Sequence, residues 1–277
     1  MTVQRLSGIV GFRLVTADLG RLTRFYRDVL EFATAGLVEP IGSEEMALLG
    51  LPGIGRRQRL EIGEQTLSVD EFEVAGHPYP LESNAASPWF QHLALVVPNI
   101  GAAYGRLRDI APITQGGPWH LPPSSGSVHA FKFRDPDGHP LELLQFPESG
   151  TLPAWKGRAP VPGQMALGID HSAISVGDLD ASLAFYAGLG LAPGQQTLNR
   201  GAEQQNLDDL RDVDVRVQPM RPSGGTSHLE LLAYRVPPAQ GIADLRANDV
   251  AATRIVWRGT SDALLRDPDG HLQQVEI

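Results

Sequence analysis

The chain has 277 residues, of which 42% are hydrophobic and 20% charged, an ordinary composition for a globular protein of about two domains. Its formal net charge of −9 and the lack of any stretch rich in Lys and Arg argue against a nucleic-acid partner and favour a small-molecule substrate. The sequence contains no cysteine, so a metal could be held only by His, carboxylate or amide groups.

The amino-terminal segment, residues 1–15, carries Arg5 and Arg13 between short apolar pieces. It lacks the unbroken apolar core of a secretory signal. No apolar run in the sequence approaches the ~18 residues that are needed to span a bilayer. We therefore expect a cytoplasmic protein without a membrane partner.

The first predicted module begins with a strand near Gly8, which Asp18 follows as a candidate helix N-cap. Apolar residues then recur at helical spacing: Leu22, Phe25, Tyr26, Val29 and Leu30. Two strand-like segments follow, over residues 57–62 and 66–72. We interpret this order as a βαβββ module.

A second module begins with a strand over residues 90–97. Near its end, Asp-Pro-Asp-Gly lies between the strand-like segments 131–133 and 141–144, where Pro and Gly favour a tight turn and predict a hairpin. Residues 147–166 then contain several Pro and Gly and show no apolar period, which is typical of a linker.

The second half of the chain repeats the first. Residues 8–26 match residues 168–186 at an offset of 160, and Arg134-Asp-Pro-Asp-Gly-His139 recurs letter for letter as Arg266-Asp-Pro-Asp-Gly-His271 at an offset of 132. Because the offsets differ by 28 residues, the last module is abbreviated and is expected to lack its helix. The chain therefore contains four related modules.

These patterns resemble the vicinal oxygen chelate superfamily, which includes glyoxalase I, bleomycin-resistance proteins and extradiol ring-cleaving dioxygenases. The resemblance rests on a strand followed by Asp-Leu, a helix that bears Phe-Tyr, and Asp-Pro-Asp-Gly-His-x-x-Glu, and it covers nearly the whole chain. It implies an α+β fold in which tandem βαβββ modules pair into half-open β-cups. We expect the first cup in residues 1–146, a linker in 147–166 and the second cup in 167–277.

The resemblance also places metal ligands on the first and last strand of each module. These positions fall on Gly11, Ser68, His92, Glu142, His171, Glu230 and Gln274, and the first-strand position of module four is unassigned. Three donors in the second cup, His171, Glu230 and Gln274, make it the expected metal site, and His92 with Glu142 is the second choice. Imidazole, carboxylate and amide donors suit divalent Fe, Mn, Ni or Zn.

Three functions are compatible with the sequence. The leading one is a metal-dependent enzyme that acts on a small oxygen-bearing substrate, either as an oxidoreductase similar to ring-cleaving dioxygenases or as a lyase or isomerase similar to glyoxalase. The alternative is a metal-free binding protein similar to bleomycin-resistance proteins, and the third is a scaffold. We expect Asn199, Arg200 and Gln204 to contact the substrate, because their segment can face the cavity in this fold. Catalytic residues are not assigned, and the choice between a monomer and a homodimer stays open.

Overall fold

The computed structural model describes residues 4–108, 110–148, 150, 152–239, 241 and 243–277. Its strands are β1 (Gly8–Thr16), β2 (Ala33–Pro40), β3 (Gly55–Ile62), β4 (Gln65–Phe72), β5 (Gln91–Val96), β6 (Ala111–Pro112), β7 (Trp119–His120), β8 (His129–Arg134), β9 (Pro140–Gln145), β10 (Gly168–Ser175), β11 (Ala192–Pro193), β12 (Thr197–Arg200), β13 (Asp214–Arg221), β14 (His228–Val236), β15 (Arg254–Arg258), β16 (Ala263–Arg266) and β17 (Leu272–Glu276). The α-helices are α1 (Leu19–Asp28), α2 (Ser43–Leu48), α3 (Ile100–Arg106), α4 (Leu179–Gly188) and α5 (Ala202–Asp208), and a short 3-10 turn covers Pro123–Ser125.

The strands form two curled sheets. The first has the order β16-β17-β15-β1-β4-β3-β2. The second has the order β11-β13-β14-β10-β5-β9-β8-β6, with β12 paired to β13 and β7 paired to β8. The predicted α+β fold of tandem βαβββ modules in half-open cups is confirmed. The last module is expected to lack its helix, and between Pro237 and β15 the described residues contain none.

The modules pair in a different way from the one that we predicted. β1 pairs antiparallel with β15, so module one shares its sheet with module four. β10 pairs antiparallel with β5, so modules two and three form the other sheet. The prediction that residues 1–146 form one cup and 167–277 the other is therefore wrong. The local pattern defines each module, whereas the edge-to-edge pairing of opening strands is a long-range contact that the pattern does not specify.

The two long helices begin at the predicted kind of cap. The carboxylate of Asp18 accepts a hydrogen bond from the backbone N–H of Arg21 at the start of α1. Asp178 accepts one from Ala181 in the same way at the start of α4. Each cap satisfies a backbone donor that the first turn of a helix leaves free, so the repeated Asp-Leu marks both helix starts.

The repeated Asp-Pro-Asp-Gly-His turns connect the two cups. The hydroxyl of Tyr26 on α1 donates to Asp135 Oδ2 at 3.0 Å, and His139 Nδ1 lies 2.8 Å from the same oxygen. The second copy repeats this contact, since the hydroxyl of Tyr186 on α4 donates to Asp267 Oδ2 at 2.7 Å. Sheet pairing thus joins modules one to four and two to three, while these contacts join one to two and three to four.

The main hydrophobic core spans both sheets. It contains Phe12 and Ile255 from the first sheet and Leu93 and Ile169 from the second, and each of the four side chains is almost fully buried. Within the described residues, no helix is long and apolar enough to cross a membrane.

Candidate metal centre

Four adjacent strands of the second sheet, β9, β5, β10 and β14, each bring one side chain to a common point. These side chains are Glu142, His92, His171 and Glu230, in the same order. His92 Nε2 lies 2.9 Å from Glu142 Oε2, and His171 Nε2 lies 3.8 Å from that oxygen and 3.6 Å from Glu230 Oε2. The two modules therefore contribute one imidazole and one carboxylate each.

The contacts of His92 fit a metal ligand better than a hydrogen-bonded core residue. Its side chain is 2% exposed and its Nε2 lies 2.9 Å from Glu142 Oε2, whereas Nδ1 has no hydrogen-bond partner. Buried polar groups are normally paired, and here Nε2 is paired with a carboxylate that can bind the same cation. Two imidazole nitrogens and two carboxylates form a donor set that suits a divalent transition metal. The residues therefore fit the metal that the sequence predicts.

A second row of polar side chains lies beside this cluster. Asp170 Oδ2 is 2.9 Å from His171 Nδ1, and His228 Nε2 is 3.3 Å from Glu230 Oε1. Asp170, His171 and His228 also lie close enough together to form a group of metal-ligand type. However, both oxygens of Asp170 are engaged, because Oδ1 accepts from the indole N–H of Trp155 and Oδ2 faces His171.

The two glutamates are ionised in this environment. Burial favours the neutral form of Glu230, but the charge of His171 and the hydrogen bond from His228 outweigh burial and lower its pKa to about 2. Burial also opposes the charge of Glu142, yet the neighbouring histidines and the ammonium of Lys132 hold its pKa well below its usual range. Both carboxylates can therefore act as metal ligands without first losing a proton.

The two histidines differ in their protonation. Burial and the nearby charge of Lys132 lower the pKa of His92, which favours the neutral form that a metal ligand needs. Burial acts in the same direction on His171, but the carboxylates of Glu230 and Asp170 reverse it and raise its pKa well above the usual value. Without a cation, the proton of His171 offsets part of the surrounding negative charge.

A cavity of about 400 Å³ opens in front of the cluster. Its apolar wall is formed by Leu121, Val128, Leu144, Leu207, Val217 and Leu232. At its polar side, Lys132 Nζ donates to Asp208 Oδ1 at 2.7 Å, while Gln204 Nε2 and the hydroxyl of Tyr234 donate to Asp208 Oδ2 at 2.7 and 2.9 Å. The cavity thus places a small apolar compartment beside the metal-ligand cluster.

The structure places two of the three predicted substrate contacts on this cavity. Asn199 and Gln204 line it, and the side-chain oxygen of Gln204 is buried without a hydrogen-bond partner. Arg200 is exposed and does not line the cavity, so that part of the prediction is wrong. Alternate residues of a strand face opposite sides, and Thr197 and Asn199 take the inner positions of β12.

Gln274 does not join His171 and Glu230, because it lies on β17 in the first sheet. The predicted set of His171, Glu230 and Gln274 is therefore wrong in its third member. Gln274 instead donates from Nε2 to Glu45 Oε1 at 3.0 Å. The former second choice, His92 and Glu142, completes the cluster with His171 and Glu230.

The first sheet carries an arginine where a metal ligand would stand. Glu142 pairs with Ala94 and Gln274 pairs with Val256, so Arg254, two residues before Val256, takes the position that His92 has in the other sheet. Its guanidinium is fully buried and donates to Asp70 at 2.6 Å. A fixed cation at a ligand position repels a metal ion, so we do not assign a metal site to this cup.

Sequence reasoning missed both residues of the second row. His228 could have been found, because it precedes Glu230 by two residues and so lies on the same face of the strand. Asp170 could not, because neighbours along a regular strand point to opposite faces. A register shift between Ile169 and His171 interrupts the pairing of β10 and lets Asp170 reach the ring of His171.

Comparison with known proteins gives a family and a fold. The sequence model of the Glyoxalase/Bleomycin resistance protein/Dioxygenase superfamily matches residues 8–143. No curated protein matches the sequence. Glyoxalase I from Zea mays is similar in structure, with a TM-score of 0.55 and 15% identity over 98% of this chain and 92% of that one. A putative dioxygenase from Bacillus subtilis has a TM-score of 0.57 and 14% identity over 98% of this chain and 85% of that one.

Proposed function

Since the chain belongs to the glyoxalase, bleomycin resistance protein and dioxygenase superfamily, we propose that it is a metal-dependent enzyme that acts on a small substrate with two neighbouring oxygens. Within that class we propose a proton transfer of the lyase or isomerase kind, similar to glyoxalase, in preference to ring cleavage with dioxygen. The observation that carries the proposal is the convergence of His92, Glu142, His171 and Glu230 from four adjacent strands.

The number of donors favours proton transfer over dioxygen chemistry. Non-haem iron oxygenases typically use two histidines and one carboxylate and leave the remaining positions open. Here a second carboxylate is present, so the chain offers four donors and leaves fewer positions for substrate and dioxygen together. The two substrate oxygens would chelate a divalent ion held by these residues, and the ion would supply positive charge that stabilises negative charge on them.

Glu230 is the better placed of the two carboxylates to take a proton from the substrate. Both side chains line the cavity, but that of Glu230 is 18% exposed whereas that of Glu142 is 8% exposed. His228 holds Glu230 Oε1 at 3.3 Å, which leaves Oε2 on the side of His171 and the cluster. In this proposal the two substrate oxygens would take the place of Glu230 Oε2, which is then free to remove the proton from the hydroxyl-bearing carbon next to a carbonyl. The C–H electron pair moves onto the carbonyl oxygen, Glu230 returns the proton to the former carbonyl carbon, and the hydroxyl proton passes between the two neighbouring oxygens, so that one 2-hydroxyketone becomes its isomer.

The cavity supports a small substrate. A volume of about 400 Å³ lies near the lower end of the range of ~300 to 1,000 Å³ that is common for small-molecule sites. Its aliphatic wall would receive the hydrocarbon part of the substrate and exclude water from the carbon that loses its proton. The buried Lys132–Asp208 pair would complete the polar side.

The proposal is tested by following proton exchange and oxygen uptake in parallel. Protein loaded with Zn²⁺, Ni²⁺ or Fe²⁺ is incubated in D₂O with a panel of 2-hydroxyketones, and deuterium incorporation is measured by NMR. The same preparations are tested with catechols in an oxygen electrode. We expect metal-dependent exchange that is lost in Glu230→Gln and kept in Gln274→Ala, which changes a residue of the other sheet.

The opposite results separate the alternatives. Oxygen uptake with catechols and no proton exchange would assign the chain to ring cleavage. Tight binding of small molecules by protein that takes up no metal would assign it to metal-free binding, the alternative function.

A further inference from the structure

Each ligand of module three contacts one further polar side chain outside the cluster, whereas His92 in module two contacts none. Asp170 contacts the outer nitrogen of His171, and His228 contacts the outer oxygen of Glu230. Nδ1 of His92, the nitrogen that does not face Glu142, has no hydrogen-bond partner. The two halves of the cluster therefore differ in how firmly their histidines are oriented.

Asp170 fixes which nitrogen of His171 faces the cluster. Its Oδ2 lies 2.9 Å from Nδ1, and both side chains are nearly fully buried. A carboxylate at this distance keeps the proton of the neutral ring on Nδ1 and leaves the lone pair on Nε2, the atom that faces Glu142 and Glu230. This arrangement of carboxylate, histidine and ligand position is the one that commonly orients metal-bound histidines.

Trp155 fixes Asp170 in turn. Its indole N–H donates to Asp170 Oδ1, and its side chain is 2% exposed. Trp155 lies in the segment 147–166, which the sequence predicts to be a linker. The same segment is tied to the first sheet, because Gln164 accepts from the backbone of Gly63 at 2.8 Å and donates to that of Glu61 at 3.0 Å. The segment 147–166 therefore contacts both the first sheet, through Gln164, and the residue that orients His171, through Trp155.

His228 supports the second ligand of the same module. It pairs in register with His171 on the neighbouring strand, its side chain is 2% exposed, and its Nε2 lies 3.3 Å from Glu230 Oε1. Its Nδ1 lies 3.8 Å from Asp170 Oδ2 and makes no hydrogen bond. Asp170 and His228 therefore lie side by side, and each contacts one ligand of module three.

We propose that Asp170 and His228 are positioning residues that hold His171 and Glu230 in place for the metal. We also propose that Trp155, which belongs to the segment 147–166, holds Asp170 in turn. The inference rests on the metal site of the proposed function. It assigns a role to three residues outside the ligand set, and it makes module three the more firmly oriented half of the site.

The first test measures Zn²⁺ affinity by competition with a chromophoric chelator. Loss of a residue that orients a ligand typically weakens metal binding ~10- to 100-fold, and we expect Asp170→Asn to fall in this range and Asp170→Ala to bind more weakly still. His228→Ala should weaken binding by a factor of about 10. The visible spectrum of the Co²⁺ form, which reports the ligand geometry, should change in the Asp170 variants.

A matched control exists within the chain. Asp135 is another buried aspartate that contacts a histidine Nδ1, that of His139, at 2.8 Å, but it lies in a turn away from the cluster. Asp135→Asn should lower stability and leave the Zn²⁺ affinity and the Co²⁺ spectrum unchanged. The comparison of Asp170→Asn with Asp135→Asn distinguishes weaker metal binding caused by a misplaced ligand from weaker metal binding caused by the loss of any buried aspartate.

The second test uses Trp155 and keeps Asp170 intact. We expect Zn²⁺ to change the tryptophan emission of the wild-type protein and to leave that of Trp155→Phe nearly unchanged. The Zn²⁺ affinity of Trp155→Phe should fall, but by less than that of Asp170→Asn, because Asp170 loses only one of its two contacts. This variant decides the question even if the Asp170 variants do not fold.

The outcomes distinguish this inference from the proposed function. Wild-type affinity in both Asp170→Asn and Trp155→Phe would overturn the positioning role and leave the metal site standing. Equal weakening by Asp135→Asn would also overturn it, because the effect would then be structural. If the wild-type protein binds no Zn²⁺, the proposed function fails and the positioning role fails with it.

Discussion

Glu45 forms ion pairs with two arginines of the first sheet, and we expect its ionised form to contribute strongly to the stability of the fold at neutral pH. It lies on α2, and its oxygens accept from Arg57 Nη1 and Nη2 at 3.0 and 2.8 Å, as well as from Arg13. Its side chain is 20% exposed. Burial opposes its charge, but the hydrogen bonds and charges of the two arginines outweigh burial and lower its pKa from 4.5 to about 2.

This pKa gives the size and the direction of the effect. Because the folded pKa lies below the unfolded one, the ionised form stabilises the fold fully above about pH 4.5, and the contribution is lost as the pH falls towards 2. At ~1.4 kcal/mol per pKa unit, the full contribution is about 3 kcal/mol, of which about 2 kcal/mol is lost by about pH 3.

The assay is urea unfolding of the wild type and Glu45→Gln at about pH 7 and about pH 3. The difference in the free energy of unfolding between the two proteins should shrink by about 2 kcal/mol at the lower pH. Glu44→Gln removes an exposed charge from the same helix and should show no such change. A wild-type advantage over Glu45→Gln that is the same at both pH values would refute the reasoning.

Three further changes test other parts of the structure. Tyr26→Phe removes the donor to the buried carboxylate of Asp135 and should lower the free energy of unfolding in urea by about 1–3 kcal/mol, whereas an unchanged value would contradict the contact between the cups. Asp178→Ala removes the cap of α4 and should cost about 1 kcal/mol in the same assay. Gln274→Glu adds a carboxylate beside the position of Arg254, and elemental analysis should show no second metal ion, since the guanidinium stays in place.

Much of the fold follows from local sequence patterns. The cap at Asp18 and the apolar stripe behind it predict α1, and the Asp-Pro-Asp-Gly turn predicts the hairpin of β8 and β9. These features depend on residues that are close in the chain. The pairing of β1 with β15 depends on residues about 240 positions apart, for which no local signal exists.

The same limit explains the error in the metal site. The resemblance identifies the positions of His92, Glu142, His171 and Glu230, but pairing neighbouring modules in chain order divides them between two cups. Once modules two and three share a sheet, the four donors come together. Gln274 enters the predicted set because it takes the last-strand position of module four and module four is paired with module three, whereas the structure places its strand β17 in the first sheet.

The most direct test of the metal site is its metal content. Wild type, His92→Ala, His171→Ala and Gln274→Ala are stripped, reconstituted with Zn²⁺ under identical conditions, and analysed by elemental analysis. The structure predicts about one ion per chain in the wild type and in Gln274→Ala, and loss of that ion in both histidine variants, because the two imidazoles come from adjacent strands of one sheet. Retention of the ion in His92→Ala together with its loss in Gln274→Ala, or no ion in the wild type, would contradict the assignment.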